Sequence, residues 1–120
     1  MSPRAGEPAV ATADVFAALG DGTRLRLVYR LSAEGPQSIT HLSANEKVTR
    51  QAVTKHLRVL AQAGVARSSR VGREAVWQLD PAKLLSARAD LERISAEWDV
   101  ALARLQQFVE GQSNQPEEQP

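Results

Sequence analysis

The chain has 120 residues and a formal net charge of +1, which suits one domain built around a single core. It contains no cysteine, so disulfides, thiolate metal ligands and cysteine redox sensing are excluded. No apolar run approaches the roughly 18 residues that a membrane span needs, and no signal peptide opens the chain. We therefore expect a cytoplasmic protein without membrane contact.

The basic residues are clustered, although the net charge is small. Between Lys47 and Arg73 there is no Asp or Glu, and all 14 acidic residues lie outside this segment. A solvated surface normally mixes both signs of charge, so an acid-free basic block favours a nucleic-acid ligand. The basic residues of the block are Lys47, Arg50, Lys55, Arg58, Arg67, Arg70 and Arg73.

Two helices are predicted before the basic block. Residues 1–9 contain Pro and Gly and are expected to be flexible, and helical periodicity runs from about Val10 to Gly20. Asp21 is a candidate N-cap for a second helix, which ends at Glu34-Gly35-Pro36. Its expected buried stripe is Leu25, Val28 and Leu31, widened by Leu27. Its arginines, expected to be solvated or ion-paired, are Arg24, Arg26 and Arg30.

The segment from Ile39 to Leu60 is predicted to form two short helices joined by a tight turn. Ser38 and Thr49 are the candidate N-caps. The second helix has an apolar stripe at helical period, formed by Val53, Leu57 and Leu60. Its opposite face carries Gln51, Thr54, Lys55, Arg58 and Gln62. A helix buried on one side and covered with such side chains on the other suits a DNA major groove.

Beyond Gly64 the apolar period changes to two. Residues 65–70 and 74–79 are predicted to be strands of a β-hairpin with Gly72 in its turn. Beside a helix-turn-helix, such a hairpin is a wing that lays cations against phosphates. Trp77 and Leu79 are expected to anchor the core, because one aromatic residue does not make a base-stacking surface. The arginines along the hairpin are Arg67, Arg70 and Arg73.

Asp80 and Pro81 are expected to open a last helix that continues to about Val109. Its apolar seam repeats every seven residues and is too long for a small winged domain to cover, so we predict pairing with a second copy. The residues expected at this dimer interface are Phe16, Leu91, Ile94, Trp98, Leu105 and Phe108. Residues 111–120 are polar and are expected to be disordered, which leaves 10–110 as the folded domain.

Three runs resemble the ArsR/SmtB family of bacterial winged helix-turn-helix repressors: LGDGTRLRLVYRL, VTRQAVTKHLRVLAQAGV and GREAVWQLDPAKL. The run TKHLRVLAQAG is the most specific, and the family's recognition helix commonly has Ser-x-His-Leu where this chain has Thr54-Lys55-His56-Leu57. The resemblance implies a mainly α-helical fold with a small β-hairpin wing, homodimeric through the first and last helices. It implies base-facing and phosphate-facing roles for Thr49, Arg50, Gln51, Thr54 and Lys55, with Arg70 and Arg73 in the wing.

The chain departs from the metal-sensing members of this family, which bind metal through cysteines or through Asp and His on the last helix. This chain has no cysteine, and its last helix has no histidine. His41 and His56 are isolated, and His56 is expected to be a half-buried packing residue. The carboxylates expected to form surface salt bridges are Asp90, Glu92, Glu97 and Asp99. We expect no metal and no cofactor, and leave open an unknown small-molecule inducer.

The sequence has no glycine-rich phosphate loop, no nucleophile with a plausible base and no paired carboxylates in an apolar setting, so an enzyme is not expected. We predict a sequence-specific transcriptional regulator, a repressor that binds an inverted-repeat operator on double-stranded DNA as a homodimer. The alternative is a winged-helix protein-interaction module that docks an acidic partner. The predicted DNA contacts are Thr49, Arg50, Gln51, Thr54, Lys55, Arg58, Arg70 and Arg73.

Overall fold

The fold comes from a computed structural model that describes residues 10–113. Residues 1–9 and 114–120, which include most of the predicted flexible ends, lie outside the described residues. The described part forms five α-helices and three β-strands. In chain order these are α1 (Val10–Leu19), α2 (Gly22–Glu34), β1 (Gln37–Ser38), α3 (Ile39–Ala44), α4 (Arg50–Gln62), β2 (Ala66–Val71), β3 (Glu74–Leu79) and α5 (Pro81–Ser113).

Three helices begin at the predicted N-caps, Asp21, Ser38 and Thr49. Each cap has extended backbone angles, and its side-chain oxygen accepts a hydrogen bond of 3.0–3.1 Å from the amide three residues on. Such a bond satisfies one of the amides that the first turn of a helix leaves without a partner. The local sequence therefore fixes where α2, α3 and α4 start.

A three-stranded antiparallel sheet has the order β1-β3-β2. The hairpin of β2 and β3, here called the wing, confirms the prediction, and its turn places Gly72 at φ 65°. The third strand, β1, was not predicted from the sequence. It is two residues long and pairs Gln37 with Trp77, so it is too short to show a period of two.

The core lies where α1, α2, α3 and α4 meet the sheet. The side chains with no exposed surface are Leu27, Leu42, Val53, Leu57, Leu60 and Val65. Trp77 is buried with them, as expected for a core anchor. The expected stripe of α2 was wrong at one position, because Leu25 is 54% exposed whereas Leu27 is fully buried. Since α2 packs against α4 and β3, the buried face passes through Leu27 and Leu31.

The last helix, α5, packs its first half on α1, and most of its second half is exposed. It ends at Ser113, beyond the expected end near Val109. The prediction that Asp90 is a surface carboxylate was wrong. Asp90 is 6% exposed, accepts a hydrogen bond from Thr12 of α1, and pairs with Arg93. Although α5 is long, no helix within residues 10–113 is apolar enough to cross a membrane.

Candidate nucleic-acid interface

The orientation of α4 follows from its buried stripe. Val53, Leu57 and Leu60 recur at i, i+4 and i+7, and all three have 0% exposure. They fix this side of the helix to the core, so the side chains roughly half a turn away must face outward. The predicted buried stripe of α4 is therefore confirmed, and the opposite face remains the candidate binding face.

The outward face of α4 presents Gln51, Lys55 and Arg58, which are all exposed. Within residues 10–113 these three side chains form no hydrogen bond or ion pair. Thr54 differs, because it is half-buried and its hydroxyl donates 2.9 Å to the carbonyl of Arg50. A long amide or cationic side chain without a protein partner is free to pair with base edges or phosphates.

The N-terminal turn of α4 contributes two more predicted site residues. Thr49 is exposed, and its oxygen caps the helix by accepting from the amide of Ala52. Arg50 is exposed at the first helical position. Backbone amides at a helix N-terminus favour negative charge, so this turn suits a phosphate.

The wing carries three arginines, of which Arg70 lines one cleft together with residues of α4. Arg70 and Arg73 are exposed, and the Arg70 guanidinium donates 3.5 Å to the carbonyl of Arg73 beside the turn. Arg67 lies opposite Gln78 in the hairpin register. With its amide oxygen facing Arg67, Gln78 accepts from that guanidinium at 2.7 and 3.0 Å. Arg67 is thus held against its own hairpin, whereas Arg70 makes one long, exposed hydrogen bond to the turn and Arg73 is exposed.

A cleft of about 600 Å³ separates α4 from the wing. Its floor is apolar, formed by Ile39, Ala61, Ala75 and Trp77. Its polar lining unites four predicted site residues with two that sequence reasoning missed: Arg50, Thr54, Arg58 and Arg70, together with Ser68 and Ser69. The order of polar and apolar residues along β2 did not single out these serines. Five of the six residues of this strand are exposed, so no buried face distinguishes them. The other predicted site residues do not line the cleft, so the candidate surface is larger than the cleft; they are Thr49, Gln51, Lys55 and Arg73.

The arginines of α2 are satisfied within the protein, as the sequence predicts. Arg26 and Arg30 both pair with Glu46, at 3.5 and 3.3 Å, and Glu46 has a side-chain exposure of only 5%. Arg30 also donates 3.0 Å to the carbonyl of Leu42. These cations hold α2 against the end of α3 and are not part of the candidate surface.

His56 lies on the side of α4 that faces α2 and is half-buried, as predicted. Its Nδ1 is 3.3 Å from the Arg24 guanidinium and 3.8 Å from the Asp21 carboxylate. The backbone amide of Arg24 donates to Asp21 and holds the pKa of that carboxyl below its usual value, and the charges of Arg24 and His56 act in the same direction. This network joins α2 to α4 at the back of the recognition helix.

One carboxylate, Glu74, lies at the edge of the basic surface. It is the first residue of β3, directly after the wing turn, and accepts a hydrogen bond of 2.5 Å from the Thr40 hydroxyl of α3. That bond, a second from the Ser38 hydroxyl and the charge of Arg50 hold the pKa of Glu74 below its usual value. Sequence reasoning did not identify Glu74, because its partner Thr40 is 34 residues away.

The predicted dimer residues form an uncovered apolar surface. Phe16 on α1 and Leu91, Trp98, Leu105 and Phe108 on α5 are 43–64% exposed. Ile94 is half-buried against its own domain. Exposed apolar sets of this size are typical of surfaces that bind another molecule, as the predicted dimer requires.

The chain is similar to known DNA-binding proteins. A family model described as a helix-turn-helix domain matches residues 19–68. The chain is 38% identical over 97 residues to the HTH-type transcriptional regulator Rv2034 of Mycobacterium tuberculosis, covering 81% of this chain and 87% of that protein.

Comparison with solved structures also finds regulators with this fold. An ArsR-like transcriptional regulator from Rhodococcus sp. RHA1 is 41% identical, with a TM-score of 0.71 and coverage of 82% of this chain and 92% of that chain. A homodimeric winged helix-turn-helix DNA-binding domain, Mb0332 from Mycobacterium bovis, shares the fold at 21% identity, a TM-score of 0.58 and coverage of 75% and 82%. These proteins are regulators and not enzymes, which favours the DNA-binding prediction over the protein-docking alternative. The chain belongs to the ArsR family of winged helix-turn-helix transcriptional regulators.

Proposed function

We propose that the protein is a repressor that binds an inverted-repeat operator as a homodimer. The observation that carries the proposal is the outward face of α4, where Gln51, Lys55 and Arg58 are exposed and without partners among the described residues. These side chains match the donors and acceptors of the major groove. A protein that occupies an operator within a promoter represses by excluding the polymerase. We place its action in the cytoplasm, where it meets DNA.

Within this proposal the eight predicted residues divide into two roles. Gln51 reads a base, because its amide can pair bidentately with adenine, and Lys55 reads guanine or holds a phosphate. Thr54 already donates to the helix backbone, so it serves as an acceptor or makes apolar contact with a thymine methyl group. The residues that hold phosphates are Thr49, Arg50, Arg58, Arg70 and Arg73.

The second copy of the chain is proposed to cover the apolar surface of α1 and α5. Four of its members, Leu91, Trp98, Leu105 and Phe108, recur on one side of α5 and extend past the region that packs on α1. The relative from Mycobacterium bovis with the same fold is homodimeric. A two-fold dimer sets two recognition helices about 34 to 36 Å apart, one turn of DNA.

Selection of binding sites from random duplex DNA tests the function. The proposal predicts enriched sites with two inverted half-sites whose centres are about 10 base pairs apart. Placing the selected site in a promoter should lower transcription in vitro as the protein is added. Recovery of no preferred site, at any ionic strength that permits binding, would overturn the proposal.

Replacing Trp98 by Ala tests the dimer separately. If Trp98 is buried between two copies, the loss is about 3 kcal/mol or more, which dissociates or unfolds the protein at micromolar concentration. Light scattering measures the mass of both proteins. Val100→Ala is a matched control, since Val100 is also exposed on α5 but lies away from the apolar seam. A monomeric wild type at high concentration would contradict the dimer.

Regulation is proposed to use neither metal nor thiol chemistry. The chain has no cysteine, and within residues 10–113 no three His, Asp or Glu residues form a group that could hold a metal ion. Zn(II), Ni(II), arsenite and peroxide should therefore leave operator affinity unchanged. A tenfold loss of affinity with one of them, reversed by chelator or reductant, would show the opposite. If none of these agents changes operator affinity, control rests on an organic inducer, another protein or repressor concentration.

A further inference from the structure

Glu74 is an acidic residue at the edge of an otherwise basic surface. It is the first acid after Glu46 in the chain, and the next one is Asp80. In the hairpin register it faces Val71 across the two-residue turn, so it sits where the wing begins its return strand. A carboxylate beside a surface that binds phosphates repels the ligand, and its presence there needs a physical reason.

The contacts of Glu74 tie the wing to α3. The Thr40 hydroxyl in the first turn of α3 donates to it at 2.5 Å. Ser38, whose side-chain oxygen accepts from the amide of His41 as the cap of α3, precedes this helix in β1. Because β1 also pairs with β3, the carboxylate strengthens a junction between the wing and the helix-turn-helix unit. The pKa of Glu74 lies below its usual value, chiefly because Thr40 donates to it, so the group is charged at neutral pH.

The cleft between α4 and the wing begins beside Glu74, because the next residue, Ala75, lines it together with Arg50 of α4. The hydrogen bond from Thr40 and the strand pairing of Glu74 join the wing to α3 at this point. The positive charge of Arg50 also contributes to the lowered pKa of Glu74. Among the described residues that line that cleft, none is acidic. Glu74 thus places a negative charge next to a lining that is otherwise cationic or neutral.

We propose that Glu74 is a positioning residue for operator recognition, which fixes the wing and the helix-turn-helix unit of α3 and α4 at one relative angle through its hydrogen bond with Thr40. This inference rests on the proposed function. An operator requires base contacts from α4 and phosphate contacts from the wing at the same time, whereas random DNA can be held by cations in many arrangements. Glu74 therefore raises the ratio of operator affinity to random-DNA affinity, both by fixing geometry and by repelling phosphates.

Substitutions distinguish the effect of Glu74 on geometry from its repulsion of phosphates. Thr40→Val removes the hydroxyl donor and keeps the shape of the side chain, while Thr40→Ser keeps the donor. Glu74→Gln keeps an acceptor oxygen for Thr40 and removes the charge. Glu92→Gln is the matched control, since Glu92 is an exposed acid that pairs with Arg88 on α5, away from the wing. Thermal unfolding of each variant verifies that it is folded.

The measurement is the affinity of each variant for the selected operator and for a random duplex, over a range of salt concentrations. Thr40→Val should weaken operator binding about tenfold, with binding of random DNA unchanged within about twofold, and Thr40→Ser should restore the wild-type ratio. Glu74→Gln should strengthen binding of random DNA and steepen its salt dependence by up to about one, because the negative charge beside the phosphates is removed. Glu92→Gln should match wild type.

Wild-type behaviour of both Thr40→Val and Glu74→Gln would overturn the inference. So would equal changes of both variants on operator and random DNA, because a positioning residue must alter the ratio. If the wild type itself selects no operator, the proposed function fails instead. The two failures are therefore distinguishable in one set of titrations.

Discussion

Two helices of 13 residues each, α2 and α4, carry arginines to the surface and use them differently. Arg26 and Arg30 of α2 converge on the nearly buried Glu46. Arg58 of α4 has no partner within residues 10–113, and Arg50 has only the charge of Glu74 nearby. The same residue type therefore stabilises the fold in α2 and is available to a ligand in α4. The two sets of arginines differ in whether an acidic side chain lies close enough to pair with them.

The difference has a consequence for stability and binding. Removing an arginine that pairs with a buried carboxylate leaves that carboxylate with less compensation for its charge. An arginine without a partner contributes little to the free energy of unfolding, but it is available to release counterions from DNA. The two helices should thus respond in opposite ways to the same substitution.

The largest effect is expected at the buried stripe of α2. Leu27→Ala should lower the free energy of unfolding by about 2 to 5 kcal/mol, because the side chain is fully buried and leaves a cavity. Leu25→Ala is the control, and since Leu25 is 54% exposed it should change stability by less than about 0.5 kcal/mol. Urea titration measures both. Similar losses for the two variants would mean that the stripe of α2 lies elsewhere.

Arginine substitutions come next. Arg30→Ala should cost about 2 to 3 kcal/mol of stability, because it leaves Glu46 with only the exposed Arg26 as a partner. Arg58→Ala should leave stability within about 0.5 kcal/mol and weaken DNA binding. The two variants are compared by urea titration and by binding at one salt concentration. A stability loss for Arg58→Ala as large as that for Arg30→Ala would remove the distinction between the helices.

A smaller, pH-dependent effect is expected at the cap of α2. The pKa of Asp21 is lowered in the folded protein, first by the hydrogen bond from the Arg24 amide. The pKa of Asp21 is thus lower in the folded protein than in the unfolded chain. The charged carboxylate therefore stabilises the fold at any pH above the unfolded pKa, and this stabilisation is lost as the pH falls through the folded pKa. Asp21→Asn should therefore be less stable than wild type at neutral pH and equal to it in strong acid. Thermal unfolding across a range of pH measures the stability difference between wild type and Asp21→Asn. A difference that grows as the pH falls would contradict the predicted pKa shift.

The sequence was sufficient where local signals and periodicity agree. The caps at Asp21 and Thr49 and the stripe through Val53 need only neighbouring residues, so they were predicted correctly. On α2, by contrast, Leu25 and Leu27 both fit a helical stripe. Only the packing of α2 on α4 and β3 decides between them.

Features that depend on distant residues were missed. Asp90 is buried because Thr12, 78 positions earlier, donates to it, and nothing near Asp90 in the sequence signals that contact. Glu74 likewise depends on Thr40. The exposed face of α4 was predicted, yet Ser68 and Ser69 were not, because their place in the cleft depends on how the wing packs against α4.

The most direct measurement compares Gln51→Ala and Arg73→Ala in binding to the selected operator and to random DNA as salt is varied. If α4 reads bases and the wing holds phosphates, Gln51→Ala should cost about 1 to 3 kcal/mol on the operator and relax preference at one base position per half-site. Arg73→Ala should weaken all sequences alike and lower the salt slope by about one for each phosphate that is no longer neutralised. Unchanged affinity for both variants at moderate salt would contradict this assignment of the two surfaces.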